Sequence, residues 1–379
     1  DAQESRGLGD VYKRQHMQLP GLKVNALQRS VSTLSGGSVQ LRINDIEATE
    51  AQVQALRPEE VLRVEYIDNP GVRYADSGAE AVINYVVKRA QSGISGGVGL
   101  TNAVTTGFGN DQVYLRANHK LSEFGLSYYV SYRDYDDRFV NEDQSFVTSD
   151  KDRRQRVLEG ISTPFSYVQH EIEASYNLTK QDNYVFNALF SNSIFDSPHA
   201  DFGQRIHETG KEDIYNYTRA INKSSAPALD LYYKKTLPKN QELMLNVVGT
   251  YIGSDYERGY REYTQTMDDP LSVHDYSTDG ARYSLIGEGA YKKSFEKVSL
   301  SAGLKYMQAY TRNRYTGSVE EMAEMHNSNF YAYTQVQGKW AKLNYNVGVG
   351  VSRETFDESG EGFTFYTCLL YTSDAADEA

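Results

Sequence analysis

The 379-residue chain carries 51 acidic against 39 basic side chains, a formal charge of -12, and is 39% hydrophobic, a balance that suits a folded chain and disfavours a nucleic-acid partner, which needs clustered positive charge. No run reaches the ~18 apolar residues of a membrane-spanning helix, although a β-barrel, whose strands hide their apolarity in alternation, stays open. The lone cysteine, Cys368, excludes disulfide scaffolds and cysteine metal clusters, and 31 tyrosines beside one tryptophan and eight prolines suit strands and water–membrane boundaries.

Residues 1 to 15 and 368 to 379 show neither periodicity nor an apolar signal region, so both ends are expected to be non-native or disordered; they resemble translated sequencing-adapter read-through. Residues 16 to 90 read as a small α+β unit. Val39, Leu41 and Ile43 alternate with Gln40, Arg42 and Asn44 as a half-buried strand that ends in the turn-prone Asn44-Asp45. Thr49 and Gln52 fit a capping box for a short helix over Ala51 to Leu56, and a second helical turn is expected over Pro58 to Leu62. Val64 to Ile67 and Val82 to Val87 are strand-like, separated by a loop that holds Asn69-Pro70 and Tyr74-Ala75.

Residues 91 to 367 alternate with a period of two. Phe124, Leu126, Tyr128, Val130 and Tyr132 oppose Gly125, Ser127, Tyr129, Ser131 and Arg133, and Leu343, Tyr345, Val347, Val349 and Val351 oppose Asn344, Asn346, Gly348, Gly350 and Ser352. Tight turns are expected at Lys120-Leu121-Ser122, Asn177-Leu178-Thr179, Lys235-Thr236-Leu237, Lys293-Ser294-Phe295 and Lys339-Trp340-Ala341, which recur at intervals of 57, 58, 58 and 46 residues. Between them lie long polar connections, 137 to 165, 196 to 225, 255 to 278 and 313 to 327. Short turns at one end and long connections at the other are the asymmetry of a transmembrane barrel. Tyr176, Tyr232, Tyr291 and Trp340 near the turns would form an interfacial girdle. Eleven strands and the start of a twelfth at Phe363 to Phe365 amount to about half of the ~22 strands of a barrel that holds a plug.

Leu19-Pro20-Gly21-Leu22, Leu41-Arg42-Ile43-Asn44-Asp45, Val61 to Tyr66, Asn69-Pro70, Tyr74-Ala75 and Val82 to Arg89 follow in an order and spacing that resembles the plug domain of TonB-dependent outer-membrane receptors. The chain departs from that pattern at Ala79-Glu80-Ala81, where the family commonly has a glycine pair, and at Asn44-Asp45, where it has Asp-Gly. The resemblance implies a plug over 16 to 90, a partial all-β barrel over 91 to 367, a bacterial outer-membrane location and uptake of a scarce ligand such as a glycan or siderophore. It also implies an inner-membrane TonB complex as partner through an amino-terminal segment missing here, outer-membrane lipid around the wall, and a surface lipoprotein as a further partner. A surface adhesin or structural barrel without transport is the alternative.

No enzyme chemistry is expected: no nucleophile elbow, phosphate-binding glycine loop or zinc-hydrolase motif is present. His199, Asp201 and His207 lack helical metal-site spacing, Glu320 to His326 reads as an exposed acidic loop, and neither a metal nor a cofactor is expected. Candidate ligand-binding residues are Asn44, Asp45 and Glu47 by position at the plug apex, and Tyr256, Arg258, Tyr260, Arg261 and Tyr263 in one loop, where flat rings and cationic forks suit a sugar or an anionic chelate. Arg63 and Glu65 are expected to be structural.

Overall fold

The computed structural model describes residues 22–25, 30–33, 37–43, 46–48, 53, 56, 61–68, 79–87, 92–149, 153–180, 183–265, 269–340, 343–358 and 360–376. The amino-terminal part holds β1 (Leu22–Asn25) paired with β2 (Ser30–Thr33), and a separate sheet of β3 (Val39–Ile43), β4 (Ile46–Glu47), β5 (Val61–Asp68) and β6 (Ala81–Val87) in the order β4-β3-β6-β5. Only β3 and β6 run parallel. Leu41, Ile83 and Tyr85 of that sheet close on Val53 and Leu56, with Val39, Ile43 and Val64 packed around them. Val53 and Leu56 fall in the expected helix, and the Leu56 N–H donates to the Val53 carbonyl at 3.2 Å; the rest of that helix lies outside the described residues, as do Leu19 to Gly21, Asn69-Pro70 and Tyr74-Ala75. The second helical turn is corrected at its end: Val61 and Leu62 belong to β5, where Val61 pairs with Val87 of β6 and Leu62 sits at a register shift before Arg63, while Pro58 to Glu60 lie outside the described residues. Glu65 accepts from Arg63 and, at 2.8 Å, from the side-chain amide of buried Asn84, so both residues hold the sheet together.

Glu80 has a visible use. Its carboxylate accepts the Thr33 hydroxyl at 2.8 Å and occupies the space where a Cβ on Gly37 would sit, 1.9 Å from its Cδ. The departure from the glycine pair is therefore matched by a glycine elsewhere.

The remaining strands form one antiparallel sheet. They are β7 (Gly93–Asn102), β8 (Gly107–His119), β9 (Ser122–Arg138), β10 (Glu142–Val147), β11 (Arg153–Ile161), β12 (Thr163–Lys180), β13 (Tyr184–Ala200), β14 (Phe202–Glu208), β15 (Ile214–Leu237), β16 (Gln241–Tyr263), β17 (Pro270–Ser294), β18 (Val298–Gly317), β19 (Glu321–Trp340), β20 (Leu343–Glu358) and β21 (Glu361–Ala376). Twelve lie on the continuous path β7-β8-β9-β12-β13-β15-β16-β17-β18-β19-β20-β21, and β10, β11 and β14 form a spur attached to β15. The sheet is open, with β7 and β21 at the ends of the path. The expected strand start at Phe363 to Phe365 belongs to β21, which begins at Glu361 and stays paired with β20 to Ala376; the break expected after 367 is absent from the backbone path.

The turn at Lys120-Leu121 falls where the sequence predicts, with Lys120 in the left-handed region at φ 53°. Three others come about three residues later than predicted, after Lys180, at 238–240 and at 295–297, because cross-strand pairs such as Lys180↔Tyr184 and Leu237↔Gln241 extend the ladders into polar sequence. The fifth falls between Trp340, the end of β19, and Leu343, the start of β20, at positions outside the described residues. The long connections need a larger correction. β15, β16 and β17 have 24, 23 and 25 residues, whereas about 9 to 11 tilted residues cross a bilayer. The segments expected as loops are mostly paired strand that continues beyond the spanning part.

Two faces emerge from the register. One carries Phe190, Leu229, Val247, Leu285, Leu304, Phe330, Val349 and Val351, all exposed. The other carries the buried polar groups Ser131, Asn187, Asn329, Gln335 and Ser352. Large apolar side chains left outside and polar ones inside invert the pattern of a soluble sheet and match a barrel wall. Tyr232 departs from the expected girdle: it is buried on the polar face with Met244 and Ala290, because in a period of two only its neighbour Tyr233 can point outward.

Candidate functional site

The polar face, concave in a barrel, carries two clusters of rings and arginines beyond the apolar band. Arg133 lies 12 residues past Leu121 on β9, which at ~3.3 Å per residue and a ~45° tilt puts it about 28 Å from the tight turn, just above a band ~25 Å tall. Its guanidinium carbon stacks 3.7 Å from the Phe108 ring centroid and 5.8 Å from that of Tyr167, while Tyr167 stacks on Phe195 at 5.6 Å. One guanidinium nitrogen donates to the carbonyls of Gly109 and Tyr132 and to Asn110 Oδ1, which also accepts from Ser131. Backbone and ring contacts thus fix the cation without neutralising it.

The second cluster lies on β16 and β17, where Tyr256, Arg258 and Tyr260 pair with Thr278, Tyr276 and His274. Arg258 donates to the Tyr276 hydroxyl at 3.3 Å, Tyr256 and Tyr276 sit 6.0 Å apart, and Tyr260 lies against His274 at 6.2 Å. Tyr260 donates to Glu262 at 2.5 Å; burial first, and then that bond to a carboxylate, push the Tyr260 hydroxyl up to about 12, so it stays a protonated donor. Between the clusters the cross-strand row that starts at Phe195 continues through Ser224, Ser254 and Gly280, which leave a floor of small side chains.

The five residues expected in one loop are therefore strand residues on two faces. Tyr256, Arg258 and Tyr260 face inward, while Arg261 and Tyr263 face outward, where Arg261 forks onto Asp275 at 2.7 and 2.8 Å and Tyr263 meets Tyr217 at 6.1 Å. Continued pairing with β15 and β17 enforces the alternation. Asn44 and Asp45 lie outside the described residues; Glu47 pairs with Arg42 through the backbone. Sequence reading missed Phe108, Arg133, Tyr167 and Phe195 as a group, although Arg133 is the one charge among the polar-face positions from Gly125 to Arg133.

His207 is 2.7 Å from Asp213, and His199 is 4.0 Å from Asp201, so the two histidines serve different carboxylates. Among the described residues no group of three or more histidine, cysteine or acidic side chains is placed to hold a metal. Glu321 to His326 is not a loop: it opens β19, with Glu324 accepting from Tyr310 and His326 against the Tyr310 ring.

No protein-family model and no curated protein matches the sequence. Among solved structures the chain is similar to the copper transporter OprC, with a TM-score of 0.51 at 10% identity over 91% of this chain and 53% of that one. It is also similar to the ferric yersiniabactin uptake receptor FyuA from Yersinia pestis, with a TM-score of 0.44 at 9% identity over 97% of this chain and 77% of that one. The chain thus spans about half the length of OprC.

Proposed function

We propose that this chain, whose sheet has the fold of the TonB-dependent outer-membrane receptors, takes up a scarce ligand across the bacterial outer membrane. Residues 16 to 90 act as the plug, ligand enters from the side of the extended strands, and an inner-membrane TonB complex pulls an amino-terminal segment to open a path. No bond is made or broken.

The observation that carries this reading is the pair of ring-supported arginines, Arg133 and Arg258, on the inward face above the apolar band. Both side chains offer a cation and flat rings together, which suits an anionic chelate first and a sugar second. The similar proteins are named for copper and ferric yersiniabactin, which fits a metal-bearing cargo.

The test is uptake of labelled ferric chelates by cells that carry the full-length protein. Transport should stop when the proton gradient is dissipated, and Arg133→Ala or Arg258→Ala should each weaken surface binding roughly 10- to 100-fold, the value of one charge-assisted hydrogen bond. Normal binding by both variants at equal surface expression would overturn the site. Uptake that ignores the proton gradient would overturn the transport reading and favour the adhesin.

A further inference from the structure

The outward wall is not uniformly filled. One cross-strand row runs Phe190, Leu229, Gly249, Leu285 and Gln308 over five neighbouring strands, with a glycine at the centre of large side chains. The notch it leaves is a shallow surface depression of about 490 Å³, bordered by Tyr251 and Tyr283, whose rings lie 4.8 Å apart. A Cβ added at Gly249 would meet no atom within 4 Å, and the same holds at Gly287, which continues the open track along β17 between Val247 and Tyr306. Behind the notch the backbone ladder is interrupted. Ala226 and Pro227 pair with no residue of β16, since proline brings no N–H, although Pro227 still faces Asn192 on the other side.

The level of the notch says what fills it. Gly249 lies 9 residues past Asn240, about 21 Å from the tight turn by the same rise and tilt, so the track runs through the outer half of the apolar band and the tyrosines sit where chains meet headgroups. Its walls are continuous with the exposed apolar surface of Leu245, Val247 and Leu304. The occupant must be apolar, elongated and delivered from the bilayer.

We propose that this groove is a lipid site, seating one acyl chain of an outer-leaflet lipid along Gly287 and Gly249 beneath the Tyr251–Tyr283 pair. The site rests on the membrane reading above but is separate from the ligand surface, which lies on the opposite face. Gly249→Leu projects into the notch, where its Cβ meets no atom within 4 Å, and leaves the inward face untouched.

The experiment uses the full-length protein with Trp340 replaced, in vesicles of phosphatidylethanolamine with an increasing share brominated in the acyl chains. Tyr283→Trp reports on the groove and Val349→Trp on open wall. Quenching at Tyr283→Trp should rise more steeply than at Val349→Trp, and Gly249→Leu should abolish the excess while Ala332→Leu, on the same face between Leu304 and Val351 but outside the notch, should not. Equal curves at the two probes, or an excess that survives Gly249→Leu, would overturn the groove. A Tyr283→Trp probe shielded from brominated lipid in a particle of doubled mass would overturn it in favour of a second copy. If Val349→Trp is not quenched at all, the failure belongs to the membrane reading instead.

Discussion

Val347 offers a test in which depth, and not burial alone, sets the magnitude. It lies 5 residues past the connection between β19 and β20, about 12 Å along the membrane normal and so close to the middle of a ~25 Å apolar band, and it is exposed on the outward face. Val351, on the same face, lies about 21 Å from the turn by the same arithmetic. An arginine at the midplane costs about 2 to 4 kcal/mol and near the interface about 0 to 1, because the guanidinium must drag water into hydrocarbon or snorkel out of it. Val347→Arg should therefore destabilise the full-length protein by about 2 to 4 kcal/mol in reversible denaturant unfolding from vesicles, and Val351→Arg by no more than about 1. Asn346→Arg, on the polar face beside Gln337, should be mild. A soluble core would also punish Val347→Arg, but with no gradient along the strand. Equal costs at 347 and 351, or an equal cost at 346, would refute the lipid-facing wall. Single tryptophans at Tyr345, Val347 and Val349 against Asn344, Asn346 and Gly348, in brominated lipid, give the same answer without relying on unfolding.

A tag inserted at Asp269, between β16 and β17, should bind antibody on intact cells, whereas one at Pro238, in the turn between β15 and β16, should not; equal labelling contradicts the orientation. The spur should be acid-sensitive. Hydrogen bonds from Lys211, Arg156 and Arg154 hold the Glu208 carboxyl down to about 2, so its contribution is complete above the ordinary value of 4.5 and is lost as pH falls from there through about 2. Amide hydrogen exchange in β11 and β14 should be slow at pH 5 and, corrected for intrinsic rates, much faster near pH 2, and Glu208→Gln should flatten that dependence. Residues 16 to 90 expressed alone should unfold at low denaturant with weak cooperativity, since a unit this small buries little core; a sharp transition at high denaturant would count against the plug.

What the chain reveals before folding depends on whether lipid imposes a pattern on it. Around Phe124 to Arg133 and Leu343 to Ser352 one face must be apolar, so the alternation names both the strand and its sides, and the path holds twelve strands as counted. Past the bilayer both faces are wet. Asp255, Tyr256, Glu257, Arg258, Gly259 and Tyr260 then show no hydrophobic period, and strand reads as loop although the ladder runs on. The candidates Tyr256, Arg258 and Tyr260 were legible as a composition of rings and cations, but their separation from Arg261 and Tyr263 was not. The Phe108, Arg133, Tyr167 and Phe195 cluster draws on four strands. Only the register that sets Phe108 opposite Arg133, and Arg133 opposite Tyr167, brings them together, and pairing register leaves no mark in local sequence.

The ladder that carries β15 to β17 past the membrane also limits how this surface can change over generations. In a flexible loop, residues can be gained or lost and the ligand contacts reshuffled piecemeal. Here the loss of one residue from β16 between Ile252 and Tyr256 would turn Tyr256, Arg258 and Tyr260 to the outside and bring Glu257, Gly259 and Arg261 in, while stranding every partner on β15 and β17. New specificities must then arise by substitution at fixed inward positions, and length variation among descendants should gather at the few connections between ladders, such as that between β18 and β19 at 318–320.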